Sequence, residues 1–215
     1  MIQDKLDSAL LEEEKKKSNR TRSGKWAPSS FGRCYRAQYW NRKNEVKTNP
    51  IEASTLRIFQ IGKLIHKMFQ DILKSEYLPE VKIETPDVLG YADMVNIEEV
   101  IDIKSVRSFQ FKLMKNKKKP YNFRTEKFEN ILQVTFYGKE LNRKNGRLVF
   151  VDKDSLDIIE FSFPISEFSK EVDKEIGILN KYWFAEELPP ASPRCYNGKE
   201  CLYCGYSIIG KCKEA

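Results

Sequence analysis

The segment Ile101-Asp102-Ile103-Lys104 places a carboxylate and an amine two residues apart in an otherwise apolar run. Alternate residues of a β-strand point to the same face, so Asp102 and Lys104 are expected side by side. A charged pair on a buried strand is costly unless the protein uses it. The segment therefore predicts a functional site, although so short a pattern also occurs by chance as a surface ion pair.

A second carboxylate precedes this pair along the chain. Asp93 ends the segment Gly90-Tyr91-Ala92-Asp93, and residues 96–99 predict a turn that returns the chain beside it. Two convergent carboxylates form an oxygen-rich site that suits Mg²⁺ or Mn²⁺. A neighbouring lysine can position or deprotonate an attacking water and stabilise charge at phosphorus. These are the groups that metal-assisted phosphodiester hydrolysis needs.

Five cysteines form a second group with metal-binding chemistry. Cys201 and Cys204 make a C-x-x-C pair, Cys195 and Cys212 flank it, and Cys34 lies far upstream. In a chain expected in the cytoplasm, this usage favours a metal or redox centre over disulfides. The four downstream cysteines lie within 18 residues, a spacing that fits a structural Zn²⁺ site.

Hydrophobic periodicity predicts the elements that must position these residues. Segments 31–42, 52–74, 125–143 and 166–186 are predicted helices, and 89–95, 100–106, 147–151 and 156–163 are predicted strands. The first of these helices carries Cys34, the second carries His66, and the lysine-rich stretch 112–120 is predicted as a loop. The order indicates an α/β protein with helices against a central mixed sheet.

The length and charge of the chain limit the classes of protein it can belong to. A chain of 215 residues favours one domain with a small appendage. No apolar run approaches the roughly 20 residues that span a bilayer, and residues 1–17 lack a signal-peptide core, which predicts a cytoplasmic protein without a membrane partner. Residues 15–47 hold 11 basic residues and one acid, which leaves 27 basic and 30 acidic residues elsewhere. Such a block favours a nucleic-acid partner, although a solvated surface explains it equally well.

Four short motifs occur in a fixed order along the chain: Gly62-x-x-x-His66, Gly90-x-x-Asp93, Asp102-Ile103-Lys104 and Gln133-x-x-x-Tyr137. With these motifs the chain resembles the PD-(D/E)XK nuclease superfamily, and within it the RecB-like exonucleases. The resemblance implies a restriction-endonuclease-like core, which is a central mixed sheet flanked by helices. We expect a charged leader over residues 1–25, a nuclease core over 26–186 and a cysteine-rich metal-binding tail over 187–215.

The resemblance also implies a set of metal ligands. Asp93 and Asp102 would bind the catalytic Mg²⁺ or Mn²⁺, with the Ile103 carbonyl as a backbone ligand. His66 would be a further ligand, as in the histidine-containing RecB-like branch. A lone histidine on an apolar helix is, taken by itself, more often a packed core residue.

The remaining motif residues receive catalytic and binding roles from the same resemblance. Lys104 would be the catalytic lysine, Gln133 would orient Lys104 or a metal-bound water, and Tyr137 would contact DNA. Interleaved aromatic and basic residues around the first predicted helix suit a strand-binding channel. The cations predicted to contact DNA are Arg33 and Arg36 in the basic block 15–47, and Lys112 and Lys115 in the lysine-rich stretch 112–120.

One upstream cysteine followed by a distant C-x-x-C…C resembles the iron–sulfur subset of this family. That subset includes CRISPR-associated RecB-like exonucleases and AddB-type nuclease domains. The resemblance implies a structural [4Fe-4S] cluster held by Cys34, Cys201, Cys204 and Cys212. Cys195 departs from the pattern as a fifth cysteine, so Zn²⁺ bound by Cys195, Cys201, Cys204 and Cys212 stays open as the alternative.

These features together predict a metal-dependent DNA exonuclease that acts on single-stranded DNA or DNA ends. Two alternatives remain: a structure-specific endonuclease of the same fold, and a non-catalytic DNA-binding adaptor with a structural zinc site. The chain has no helicase segment, so any motor or integrase partner would be a separate protein. CRISPR adaptation, repair, recombination and phage DNA metabolism are all compatible with this chemistry.

Overall fold

The chain folds around a five-stranded sheet whose strand order follows the sequence. The computed structural model describes residues 1–18, 23–49, 51–195, 199–207 and 212. The strands are β1 (Leu78–Glu84), β2 (Leu89–Val95), β3 (Glu99–Val106), β4 (Asn145–Asp152) and β5 (Ile158–Pro164). Neighbouring strands are antiparallel, except that β3 and β4 run parallel.

Helices cover both faces of this sheet. The described α-helices are α1 (Ile2–Ser18), α2 (Tyr35–Arg42), α3 (Ala53–Leu73), α4 (Ser108–Met114), α5 (Phe123–Glu126), α6 (Phe128–Glu140) and α7 (Ser169–Phe184). A tight turn cannot join parallel strands, so the chain passes from β3 to β4 through α4, α5 and α6. The result is the α/β architecture that the hydrophobic pattern predicts.

Two hydrophobic cores lie on opposite faces of the sheet because alternate strand residues point to opposite sides. On one face, Val100 and Leu148 belong to the core that includes residues of α6 and α7. On the other face, Ile101 and Ile103 pack with Ile65 of α3. Strand β3 is therefore anchored by aliphatic side chains on the α3 face, while its alternate residues face α6.

The charged leader contains a helix that packs against the rest of the protein. Helix α1 lies along α3, where Leu10 is buried and Asp7 forms an ion pair with Arg57. Further along the chain, Trp26 is buried, and its backbone forms an isolated parallel β-bridge with Val88, the residue before β2. Both contacts give this polar segment fixed positions against the core.

Three predicted boundaries are wrong, each for a local reason. Helix α2 begins at Tyr35, so Cys34 immediately precedes the helix instead of lying within it. The lysine-rich stretch starts inside α4, because Phe111 and Met114 bury the apolar side of that helix. The predicted helix 125–143 is two helices, α5 and α6, which are separated at Lys127. Among the described residues, no helix has the length and apolar character needed to cross a membrane.

Candidate active site and cysteine site

Strand β3 presents a buried ion pair toward α6. Lys104 Nζ lies 2.7 Å from Asp102 Oδ1, and Asp102 is only 1% exposed. The second carboxylate oxygen, Asp102 Oδ2, is buried and has no hydrogen-bond partner among the described residues. An unpartnered buried carboxylate oxygen is unfavourable by itself, so this atom marks a position that suits a cation.

Asp93 reaches the same place because the β2–β3 ladder is short. Only Met94↔Ile101 and Val95↔Val100 pair across it. Beyond these pairs Asp93 Oδ2 accepts a hydrogen bond from the Ile103 backbone N–H at 2.8 Å. A side chain thus substitutes for a backbone acceptor, and the Asp93 carboxylate is held between the two strands.

His66 completes this group from the neighbouring helix α3. Its Nδ1 lies 3.4 Å from Asp93 Oδ2. Gly62, one turn earlier, allows α3 to approach β3 closely, since a Cβ there would lie 3.1 Å from Ser105 Oγ. We name His66, Asp93, Asp102 and Lys104 the carboxylate site.

Burial and neighbouring charges shift the pKa values of Asp93, Asp102 and Lys104 in this site. Burial raises the pKa of Asp102 to about 6, and the negative charge of Asp93 adds to the shift. Burial also opposes ionisation of Asp93, but the hydrogen bond from His66 and the charge of Lys104 outweigh it and lower the Asp93 pKa. For Lys104, burial favours the neutral amine, yet the two carboxylates prevail and raise its pKa. Lys104 is therefore a cation at neutral pH.

Helix α6 supplies Gln133, whose Oε1 lies 3.5 Å from Lys104 Nζ. Tyr137, one turn later, is only 2% exposed, and its contact with DNA stays a prediction. Its hydroxyl packs against Gly90, where a Cβ would come within 2.6 Å of it. Gly90 and Tyr137 thus form a close contact between β2 and α6, and Tyr137 is a packing residue.

The predicted DNA-contacting cations lie in different environments. Arg36 is 3% exposed and its Nε donates to the Pro189 carbonyl at 2.7 Å, and its contact with DNA stays a prediction. Arg33 is partly exposed and lines a cavity of about 910 Å³ near Tyr203. Lys112 and Lys115 are exposed, and Lys115 Nζ pairs with Asp157 at 2.9 Å.

Four cysteines from distant segments lie close enough to influence one another. Burial raises the pKa of Cys204, and the charges of Cys212 and Cys34 raise it further. Cys212 has a raised pKa for the same reasons, with Cys34 and Cys201 among its neighbours. Cys34 is buried, Cys204 and Cys212 are partly buried, and Cys201 is exposed. Clustered thiols fit a thiolate-bound metal, because a cation offsets the repulsion among their charged forms. We name Cys34, Cys201, Cys204 and Cys212 the cysteine site.

Cys195 stands apart from that group. Burial raises its pKa to about 12, and its charged neighbours are Glu200, Arg33 and Glu129, with no cysteine among them. This environment favours the set that includes Cys34 over the set that includes Cys195. No group of three or more metal-binding side chains has ligand geometry within the described part of the chain.

Two buried glutamates that sequence reasoning missed hold the segment around Cys34. Glu200 accepts the Cys34 backbone N–H at 2.9 and 3.1 Å, and also the Arg194 backbone N–H at 2.9 Å. Glu175 of α7 accepts the Gly32 backbone N–H at 2.9 Å and pairs with Arg194 at 2.8 Å. Glu200 directly precedes Cys201, which is the only sequence signal for its role. Glu175 looks like an ordinary residue of an amphipathic helix.

Comparison with known proteins adds evidence on the fold. No protein-family model matches the chain, and no curated protein sequence matches it. A crystal structure titled SSO0001 is similar over 99% of this chain and 97% of that one, with 22% identity and a TM-score of 0.57. An alkaline exonuclease from Laribacter hongkongensis (LHK-Exo) aligns with 77% of this chain and 94% of that one, at 14% identity and a TM-score of 0.42.

A phage-related exonuclease from Haemophilus somnus 129PT aligns over 58% of this chain and 67% of that chain. Its identity is 12% and its TM-score is 0.39. The likeness to SSO0001, at 22% identity, bears on the fold alone, and the two exonucleases, with TM-scores below 0.5, add nothing to it. The mixed five-stranded sheet with helices on both faces is consistent with the restriction-endonuclease-like fold.

Proposed function

We propose that the chain is a metal-dependent nuclease that hydrolyses phosphodiester bonds in DNA. The observation that carries the proposal is the unpartnered buried Oδ2 of Asp102, in a site that also holds Asp93 and the Lys104 ammonium. A purely structural ion pair gives no reason for a buried carboxylate oxygen without a partner. The carboxylates of Asp93 and Asp102 are oxygen ligands that suit a hard divalent cation, and Lys104 supplies a positive charge beside them.

The ligands proposed for Mg²⁺ or Mn²⁺ are Asp93, Asp102, His66 and the Ile103 carbonyl. When bound, the ion would polarise the phosphodiester and lower the pKa of an attacking water. His66 fits this role because it already contacts Asp93 at 3.4 Å. Burial lowers the pKa of His66, but the hydrogen bond to Asp93 and the charge of Asp93 outweigh it, so the pKa is raised. Metal binding requires a neutral imidazole, so it would compete with protonation of His66.

Lys104 is proposed to act as a fixed positive charge. Asp102 holds its ammonium at 2.7 Å, and Gln133 limits its orientation from the α6 side. A charge that is already oriented costs no reorganisation when negative charge develops on the phosphoryl oxygens. Gln133 is thus a positioning residue and Lys104 the catalytic one.

We further propose that the substrate is single-stranded DNA or a DNA end, which makes the enzyme an exonuclease. The net charge of +7 and its concentration near the N-terminal third favour a polyanionic substrate. A structure-specific endonuclease uses the same donor set and is the second candidate. A non-catalytic adaptor is less favoured, because it has no need for a buried unpartnered carboxylate oxygen.

The cysteine site is proposed to hold a structural [4Fe-4S] cluster, with Zn²⁺ as the alternative metal. Mutual electrostatic influence among Cys34, Cys204 and Cys212 supports this donor set. Such a centre would join the segment before α2 to the C-terminal segment. Its role is stabilisation, because the site is separate from the carboxylate site.

The deciding experiment follows digestion of end-labelled single-stranded and duplex DNA in Mn²⁺. Wild type is compared with Asp102→Asn, and with Asp71→Asn as a matched control on the exposed side of α3. We expect cleavage by wild type and the control, and none by Asp102→Asn. Equal cleavage by all three proteins, or none by any, would contradict the proposal. A closed circular substrate separates the two nuclease types, because an exonuclease requires an end.

A further inference from the structure

A cavity of about 560 Å³ opens beside the carboxylate site, between helix α3 and the ends of β3 and β4. His66 lines it, and Phe59 lies on its rim. Ser105, two residues after the proposed backbone ligand, and Lys153, directly after β4, complete the sheet side. The volume falls within the range of small-ligand sites, roughly 300–1,000 Å³. We call it the α3 pocket.

Two cations lie together where the parallel strands end. Arg107 directly follows β3 and Lys153 directly follows β4. The Lys153 backbone N–H donates to the Val106 carbonyl at 3.0 Å, which fixes the two positions as neighbours. Lys153 Nζ reaches the Ile58 carbonyl at 3.4 Å and so faces the pocket wall that α3 forms.

These two cations lack the acidic partners that neighbouring lysines have. In the part of the chain that the structure describes, neither Arg107 nor Lys153 forms an ion pair. Lys63 and Lys67, which also line the pocket, pair with acids of α1 and α3 at 3.8 and 3.1 Å. The acid of the pocket, Glu80, is hydrogen-bonded to Gln70.

Placing Lys153 beside Arg107 is unfavourable for the unliganded protein. Burial lowers the pKa of Lys153, and the positive charge of Arg107 lowers it further. A bound anion would remove this repulsion, since it can accept hydrogen bonds from both groups. Phosphate is the anion that a nucleic-acid strand offers at regular intervals.

Phe59 gives the pocket a second feature that fits a nucleic-acid strand. Phe59 is 50% exposed. It lies on α3 and lines two cavities, the α3 pocket and the cavity that Arg33 also lines. An exposed aromatic face beside basic side chains is the arrangement on which proteins stack the bases of single strands.

We propose that the α3 pocket binds one strand of nucleic acid next to the scissile phosphodiester, with Lys153 and Arg107 on a backbone phosphate and Phe59 against a base. The proposal rests on the proposed nuclease function, because that function places a strand at His66. The new element is the position of the strand beside the carboxylate site, in the α3 pocket.

The test is binding of a fluorescently labelled 20-nucleotide oligothymidylate to the full chain, measured by anisotropy in EDTA across a salt series. The variant is Lys153→Gln with Arg107→Gln. Each phosphate contact to a single strand contributes about 0.7 to the slope of log K against log salt. We expect the double variant to bind on the order of tenfold more weakly and to lower the slope by about 1.4.

The matched control is Lys170→Gln with Lys181→Gln, which removes two exposed charges from α7 on the opposite face of the sheet. We expect the control to keep nearly the wild-type slope. Equal loss in both double variants would show only a general charge effect and would overturn the proposal. Each single variant is expected to lower the slope by about 0.7.

Phe59→Leu separates stacking from charge. It keeps an apolar side chain, so we expect weaker binding by roughly tenfold with an unchanged salt slope. Unchanged affinity would remove Phe59 from the proposal. Since binding is measured without divalent ions, these results do not depend on cleavage. A protein that binds through Lys153 and Arg107 but never cuts DNA would contradict the nuclease proposal alone.

Discussion

The carboxylate site and the cysteine site are built in opposite ways. Strands and helices of the core fix the first, and its closest contacts, 2.7 and 2.8 Å, join residues of the same sheet. The second combines thiols from the segment before α2 and from the C-terminal segment, where Glu200 and Glu175 hold the chain. The first site is preorganised by the sheet, whereas the second depends on contacts between distant segments.

This difference separates the expected consequences of losing a metal. At the carboxylate site, the Lys104 ammonium lies beside Asp102 and His66 lies beside Asp93, so side chains of the core already offset part of the negative charge. At the proposed cysteine site, Arg36 lies beside Cys212 and lowers the pKa of its thiol against the effect of burial. A bound metal would add further positive charge between the thiols. Damage to the first site should affect catalysis, and damage to the second should affect stability.

The largest effect is expected from Lys104→Gln. Removing the fixed ammonium should slow single-turnover cleavage by about 10³-fold, a typical contribution of a catalytic side chain in proton or charge transfer. Lys170→Gln, on the exposed side of α7 and away from the α3 pocket, is the control and should cleave normally. The measurement uses saturating Mn²⁺, and circular dichroism checks folding. A rate within tenfold of wild type would remove Lys104 from catalysis.

The next largest effect is expected from Cys204→Ser at the cysteine site. We expect loss of the bound metal and a fall in melting temperature of about 5–10 °C, because metal binding contributes to folding free energy. Anaerobic purification with elemental analysis for iron and zinc gives the metal content, and calorimetry gives the melting temperature. Zinc without iron would reject the cluster.

Cys195→Ser is the matched control for that experiment. Cys195 is buried like Cys34 but has charged residues, not thiols, as its neighbours. We expect it to keep the full metal content. If Cys195→Ser lost the metal and Cys34→Ser kept it, the alternative zinc site would replace the proposed one.

A smaller effect is expected from Glu200→Ala. The change leaves the buried N–H groups of Cys34 and Arg194 without an acceptor, at a cost of about 1–3 kcal/mol. Chemical denaturation measures this free energy of unfolding. Glu200→Gln, which keeps one acceptor oxygen, should recover part of it. If both variants were as stable as wild type, Glu200 would not hold the Cys34 segment.

The smallest effect is expected from Tyr137→Phe. The ring packing against Gly90 remains, so we expect a loss of about 1 kcal/mol or less in stability and no change in DNA affinity. Anisotropy with the labelled oligonucleotide tests the affinity. A clear loss of affinity would support the predicted contact of Tyr137 with DNA.

Local rules bring Asp93, Asp102 and Lys104 together, as their contacts show, while their roles in binding and catalysis stay predictions. A period of two residues puts Asp102 and Lys104 on one face of β3, and the short turn after β2 returns the chain beside Asp93. Helical spacing likewise puts Gln133 and Tyr137 on one side of α6. That spacing does not reveal how deeply each is buried.

Burial of charge is what the sequence could not predict. Arg36, Glu175 and Glu200 look like surface residues, and their partners lie up to 166 residues away along the chain. Only tertiary contacts pair such groups, so no local pattern distinguishes them from solvated ones. The basic block near the N-terminal third is accordingly not one surface, since Arg36 and Arg42 are buried in it.

The hydrogen bond between the Cys34 backbone and Glu200 also sets an order of events during synthesis. The two residues are 166 positions apart. At about 5–20 residues per second, Cys34 is added to the chain roughly 8–33 s before Glu200. All five strands of the sheet, with Asp93 and Asp102, are synthesised before Glu200. The backbone of Cys34 therefore waits for its acceptor until the last part of synthesis, after the residues of the carboxylate site have been made.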